Sequence, residues 1–196
     1  MTNVLAEDRR SPVPYDWLRD AYMKLLTAAE PGELREGLVD TPARAAQSWR
    51  ELTCGYGDPD PDDLRTFDAT HFDQIVVEKD LPFFSLCEHH ALPFWGTTDI
   101  AVLPNMDVLG LSKYARIVQH YSRRLQMQER MTEDIADCIE AATHPVGTLV
   151  IVRAGHLCMQ MRGVQKLGAT TITSVARGRF RLEPGAKAEA MELLRG

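Results

Sequence analysis

No stretch of the chain is apolar over the roughly 20 residues that a helix needs to cross a bilayer. The first ten residues, Met1 to Arg10, are polar and mixed in charge, which is not the pattern of a secretory leader. There is no internal repeat and no low-complexity tract. Cysteine is sparse at four residues, and a cytoplasmic, reducing setting argues against pairing them as two disulfides. Their spacing relative to histidine points instead to metal binding or catalysis. An excess of positive charge is also missing. Lys and Arg total 22 against 28 Asp and Glu, for a net charge of −6, which argues against nonspecific nucleic-acid binding. These absences lead to the expectation of a cytoplasmic protein with neither a membrane nor a nucleic acid as partner.

What is present suits one domain with a real core: 196 residues, 44% hydrophobic and 26% charged. Residues 1–14 hold Ser11-Pro12-Val13-Pro14 and no periodicity, and read as a mobile arm. Trp17, Leu18, Ala21, Tyr22, Leu25 and Leu26 recur at helical intervals over Tyr15 to Ala29, and Pro31-Gly32 ends that helix. A second helix opens at Asp40-Thr41-Pro42, with Thr41 as the expected cap and Pro42 at the first helical position. Gly55 to Asp63 is turn-rich and divides a helical extension, residues 1–63, from a core domain, residues 64–196.

Beyond it the period changes. Ile75-Val76-Val77 and Phe94 to Leu103 read as strands, with Trp95-Gly96 a candidate bulge. Leu111, Tyr114, Ala115, Val118 and Leu125 mark a helix capped by Ser112, and Ile135, Cys138, Ile139 and Ala142 a second over Met131 to Ala142, with Cys138 in the core. Leu149 to Met161 and Thr170 to Val175 read as strands, the latter extended by Arg177 to Phe180, and Lys187 to Leu194 as a closing helix. Strand pairs separated by a helix pair predict an α+β fold with an antiparallel sheet.

Two segments mix thiol and imidazole: Cys87-Glu88-His89-His90 and His156-Leu157-Cys158. Cysteine sulfur and histidine nitrogen are the ligands zinc prefers. In a strand, residues two apart share a face, so His156 and Cys158 should point to one place. The expectation is one zinc ion with three protein ligands and an open position. Such a site lowers the pKa of bound water to about 7. Spacing alone does not choose between His89 and His90, or decide whether His156 ligates. A histidine left over suits proton transfer.

Ser112-Lys113 at a helix start, with Arg116 one turn on, makes a candidate anion site; a solvated helix face is the alternative. Gln128-Glu129, in an expected break between helices, could read the edge of a base or simply cap the next helix.

Taken together, the chain resembles GTP cyclohydrolase I, the zinc type. The resemblance runs through Phe84-Ser85-Leu86-Cys87-Glu88-His89-His90, Gly110-Leu111-Ser112-Lys113, Arg123 to Arg130, His156 to Lys166 and Thr171-Ile172-Thr173-Ser174, in the right order and spacing from about Asp40 to Phe180. It implies a tunnelling fold: an antiparallel β-sheet backed by two helices, here with an N-terminal helical extension. It implies a decamer of two pentamers with sites between subunits. Carried over by position, Cys87, His90 and Cys158 would bind Zn2+. His89, His156 and Ser112 would move protons, and Gln128 and Glu129 would hold guanine. Lys113, Arg116 and Arg162, joined by Arg44 from a neighbouring chain, would hold the triphosphate. The implied reaction turns GTP and water into 7,8-dihydroneopterin triphosphate and formate by water attack at C8, ring opening and an Amadori rearrangement. Two positions depart from the family pattern, Tyr114 and Arg153. A dedicated copy serving deazapurine or secondary metabolism, or a non-catalytic zinc- or nucleotide-binding regulator, are the other readings.

Overall fold

The computed structural model describes residues 14–30 and 32–195. The arm expected over residues 1–14 lies, Pro14 apart, outside them. Two helices come first, α1 (Tyr15–Ala29) and α2 (Thr41–Leu52). Thr41 is the first helical residue rather than the cap, and its hydroxyl donates back to Gly37 O at 3.4 Å. Short strands β1 (Thr66–Asp68) and β4 (Asp107–Leu109) pair with each other. The main sheet has the order β5-β2-β3-β6-β7, built from β2 (Val76–Cys87), β3 (Pro93–Leu103), β5 (Leu125–Gln126), β6 (Gly147–His156) and β7 (Thr171–Gly178). Its pairs are antiparallel except the short β5–β2 contact.

β6 is apolar on both faces, and the period of two sorts its residues. Val150, Val152 and Ala154 join Phe94, Ile100 and Val102 in one core beneath α3 (Leu111–Ser122) and α4 (Gln128–Thr143). Those helices contribute Tyr114, Ile117, Val118, Met131, Ile135 and Ile139, and burying each such side chain is worth about 1.5–3 kcal/mol. Leu149 and Ile151 face the other way, into a smaller core with Phe180, Ala190 and Leu194. Phe180 belongs to a helical turn, α6 (Arg179–Leu182), not to an extension of β7, and the last helix, α7 (Pro184–Arg195), starts earlier than its periodicity predicts. Cys138 sits in the core as expected.

The bulge lies in β2, between Glu78 and Leu81, not at Trp95-Gly96. Asp80 there has φ 54°, and its N–H donates to buried Asp99 at 2.8 Å. Asp99 also takes an ion pair from Arg153, one of the two positions that depart from the family pattern. The other, Tyr114, is 1% exposed and fills the core. Gly96 is needed for a different reason: a Cβ there would meet Arg153 O at 1.8 Å, so only glycine lets β6 run this close.

The linker after α2 braces the end of α3. Gly55 N donates to Arg123 O at 2.7 Å, Leu125 N donates to the Tyr56 hydroxyl at 3.0 Å, and the Arg124 guanidinium donates to Gly55 O. This brace fixes β5, which pairs with the last two residues of β2, Leu86 and Cys87.

Candidate metal and catalytic site

Cys87 is the last residue of β2, and a tight turn follows. Its carbonyl accepts from His90 N at 3.2 Å and from Ala91 N at 2.8 Å, with Ala91 at φ 51°. The turn folds the imidazoles back over the thiol: the Nδ1 atoms of His89 and His90 each stand 3.8 Å from Cys87 Sγ. On the far strand the chain behaves differently from the expected run to Met161. β6 ends at His156, opposite Phe94, and Leu157–Gln160 forms a helical turn. That turn, not strand alternation, swings Cys158 inward.

Ligand atoms of Cys87, His90 and Cys158 all lie within 4.8 Å of one another. Around tetrahedral zinc such atoms sit about 3.5–3.8 Å apart, given bonds of about 2.3 Å to sulfur and 2.0 Å to nitrogen. The three residues therefore fit a metal ion after a contraction of about 1 Å or less. Their chemistry fits too. Burial, and then the adjacent Cys87, push the Cys158 thiol above its ordinary value. Two sulfurs facing each other resist ionising together unless a cation sits between them. His89 is exposed and stands edge-on to His90.

His156 is stacked on Phe94, ring centroids 4.6 Å apart and ring planes nearly parallel. Its Nε2 meets Gln128 Oε1 at 2.8 Å. Gln128 is 2% exposed, and its Nε2 lies 3.1 Å from each of Val152 O, Thr171 O and Thr173 Oγ1. Two carbonyls that can only accept fix the amide's orientation, so Oε1 must receive a proton from His156. The imidazole is thereby set as the Nε2–H tautomer, with Nδ1 left over. Burial lowers the His156 pKa, partly opposed by the charge of Glu129.

This arrangement corrects the sequence reading of Gln128. It is not in a break but opens α4, and its side-chain amide is hydrogen-bonded to His156 and to the β6–β7 seam. Glu129, next in the helix, is exposed, and its charge acts on His156. Arg130 turns back to Glu88, in the metal turn, at 2.6 Å, and holds that carboxyl below its ordinary pKa. The sequence reading counted Arg130 only among the basic residues that could hold an anion, and gave Glu88 and Phe94 no place in the site. Glu88 and Arg130 stand inside the quoted segments, but only the fold pairs them.

The expected anion residues are not gathered around the metal corner. The cap of α3 is Gly110, not Ser112, and Lys113 N bonds Gly110 O. Ser112, Lys113 and Arg116 lie in the first half of α3, whose 12 residues span about 18 Å. The far end of that helix leads into β5, beside Cys87, while Tyr114 feels the charge of Glu78 near the start of β2. From Glu78 to Cys87 the strand climbs about 30 Å. Lys113 and Arg116 are instead engaged locally: Lys113 Nζ donates to Asp62 O, and Arg116 pairs with Asp63 at 2.7 Å. Arg162 is exposed in the loop after the Cys158 turn. Arg44 is on α2, bonded to Thr41 and Gly37. Within one chain, then, three residues able to hold a metal ion and two further histidines converge, with Glu129 following Gln128 beside them. Ser112, Lys113 and Arg116 do not join them.

Residues 18–195 match the model of the family described as GTP cyclohydrolase I. A protein named GTP cyclohydrolase 1 from Sinorhizobium fredii is 50% identical over 179 residues, covering 90% of this chain and 87% of the relative. The protein of that name from Homo sapiens is 47% identical over 180 residues, covering 91% and 72%. One from Caldanaerobacter subterraneus is 44% identical over 178 residues, covering 90% and 95%. With this match over nearly its whole described length, the chain belongs to the GTP cyclohydrolase I family.

Proposed function

We infer that the protein is a zinc-dependent hydrolase acting on a cyclic amidine. It converts GTP and water to 7,8-dihydroneopterin triphosphate and formate, the entry step of folate and pterin biosynthesis. The observation that carries this reading is the convergence of Cys87, His90 and Cys158 within 4.8 Å beside a His156 of fixed tautomer. Zinc held by those three residues would supply Lewis acidity and a water activated at neutral pH.

The chain's own groups then divide the work. Glu129 accepts the adjacent N–H donors of guanine. His156 rests neutral, anchored through Nε2, so its Nδ1 first accepts the proton shed as water adds to purine C8. The imidazolium then returns that proton to the ring nitrogen as the ring opens. His89, exposed beside Cys87, and Ser112 serve the later proton movements of the Amadori rearrangement. Gln128 orients His156 and stands with Glu129 at the base. Lys113, Arg116, Arg162 and Arg44 hold the triphosphate.

Because Ser112, Lys113 and Arg116 stand at the opposite end of the sheet, an adjacent copy supplies them. The sheet edges favour this. β7 has no strand on its outer side among the described residues, and β2 is covered only at Leu86 and Cys87. Two open edges invite head-to-tail pairing into a closed ring. Phe84, Trp95 and Ile172 are exposed on the same sheet. A decamer of two pentamers is the assembly we adopt, with residues 1–63 as a helical extension of the catalytic domain 64–196. Among the described residues no helix is long and apolar enough to cross a membrane, and all four cysteines are free, as the reducing cytoplasm requires.

The test is direct. Purified, zinc-loaded protein incubated with GTP should release formate and, after oxidation, a fluorescent pterin in equal amount. Intact GTP with fully loaded protein would overturn the reading.

A further inference from the structure

The first turn of α4 sends three consecutive side chains to three places. Successive helical residues are rotated by about 100°. Gln128 goes inward to His156, Glu129 remains exposed, and Arg130 swings back over the Cys87–His90 turn. There the guanidinium meets Glu88 twice, Nη1 to Oε2 at 2.6 Å and Nη2 to Oε1 at 3.3 Å. Glu88 stands between the metal ligand Cys87 and the two histidines. Its own N–H donates to Gln126 O at 3.1 Å, two residues before α4 begins. The metal turn is thus joined to the start of α4 at two levels, main chain and side chain.

Exposed ion pairs contribute little to stability. The value of this one lies in its geometry. A planar, two-bond match of guanidinium to carboxylate fixes orientation as well as distance, which a lysine cannot do. It links the two elements whose separation must be constant if a base held at Glu129 is to present one atom to the metal corner. Main-chain bonds close the turn on itself and tie it to β5, and the Arg130–Glu88 pair is the side-chain link from the turn to α4.

We propose that Arg130, acting through Glu88, is a positioning residue that sets the metal turn against the base-reading end of α4. Arg130 touches neither the metal ligands nor the substrate. The proposal deepens the zinc and GTP reading above and rests on it.

The experiment compares wild-type protein with Arg130→Met, Arg130→Lys, Glu88→Gln and the exchanged pair Glu88→Arg/Arg130→Glu. Arg130→Met should fold with unchanged circular dichroism. Its zinc dissociation constant, from competition with a chelator, should rise about tenfold, in the range for groups that orient metal ligands. With zinc saturating, kcat should fall about 10- to 100-fold, as expected for a displacement near 1 Å. KM for GTP should move less than about threefold, because Glu129 and the cations are untouched. The cobalt-loaded protein should show a shifted ligand-field band. Arg130→Lys should recover part of kcat, and the exchanged pair should recover more than either single reversal. Wild-type zinc affinity, cobalt spectrum and kcat in Arg130→Met would overturn the proposal. So would a loss of kcat in folded Arg130→Met with zinc affinity and cobalt spectrum unmoved. If Arg130→Met does not fold, Glu88→Gln decides by the same readouts. If the wild-type protein fails to release formate from GTP, the functional reading falls, and the chelator and cobalt measurements still decide the tether.

Discussion

The metal corner and the first half of α3 are built on opposite plans. The corner is complete within one chain: Cys87, His90 and Cys158 have already met, and Gln128 has already chosen the tautomer of His156. The α3 cations are dispersed and locally satisfied, Lys113 by Asp62 O and Arg116 by Asp63. Preorganised groups suit the bond-breaking step, where geometry sets the rate. Loosely held cations suit a flexible triphosphate, which can displace an exposed partner at small cost. The contrast is between a Cys-His-Cys group that one protomer assembles by itself and cations that the same protomer leaves apart from it.

Substitutions in each region put that contrast to the test. The largest effect should come from Cys158→Ser. It should lose most bound zinc, and formate release should fall by more than about 100-fold, beyond the range for groups one step from a metal. Metal content after dialysis and a formate assay check it. Next is a mixing test. Cys158→Ser and Lys113→Ala should each be weak alone, yet protein refolded from a mixture should regain a measurable fraction of wild-type turnover. No gain would mean that one chain supplies both halves of a site. A smaller change is expected from Asp63→Asn, which removes the resident partner of Arg116. KM for GTP should fall up to about fivefold, the scale of an exposed pair, with kcat unchanged in steady-state kinetics.

The smallest effect concerns pH. The folded His156 titrates below its ordinary value because it is buried, so between that midpoint and about 6.5 the unfolded chain binds the extra proton and the folded one does not. Stability of the metal-free protein should therefore be level above pH 6.5 and decline as pH falls through this window. His156→Gln should decline less, as read from denaturant midpoints at each pH.

Much of this was legible in the sequence, for identifiable reasons. The Cys87 and Cys158 segments carry residue types with few other uses, and α1 and α3 show clean helical periods. The α+β outline followed from the order of periods. Misreadings arose where tertiary contacts overrule local pattern. Leu157 to Met161 alternates like a strand, yet the chain leaves the sheet at His156 and coils. Gln128-Glu129 reads as a joint, but buried hydrogen bonds to Val152 O and Thr171 O draw Gln128 into the first turn of α4. Ser112 has the chemistry of a cap, but Gly110 takes the cap position in an extended conformation. The Glu88–Arg130 pair spans 42 residues, and no local signal announces such a match.

Gly96 carries a last implication. The register places it opposite Ala154, two rungs from the Phe94–His156 pairing. A single methyl added there would wedge β3 and β6 apart and lift the imidazole off its aromatic shelf. An alanine at this silent-looking position should read in an assay as a substitution of His156 itself.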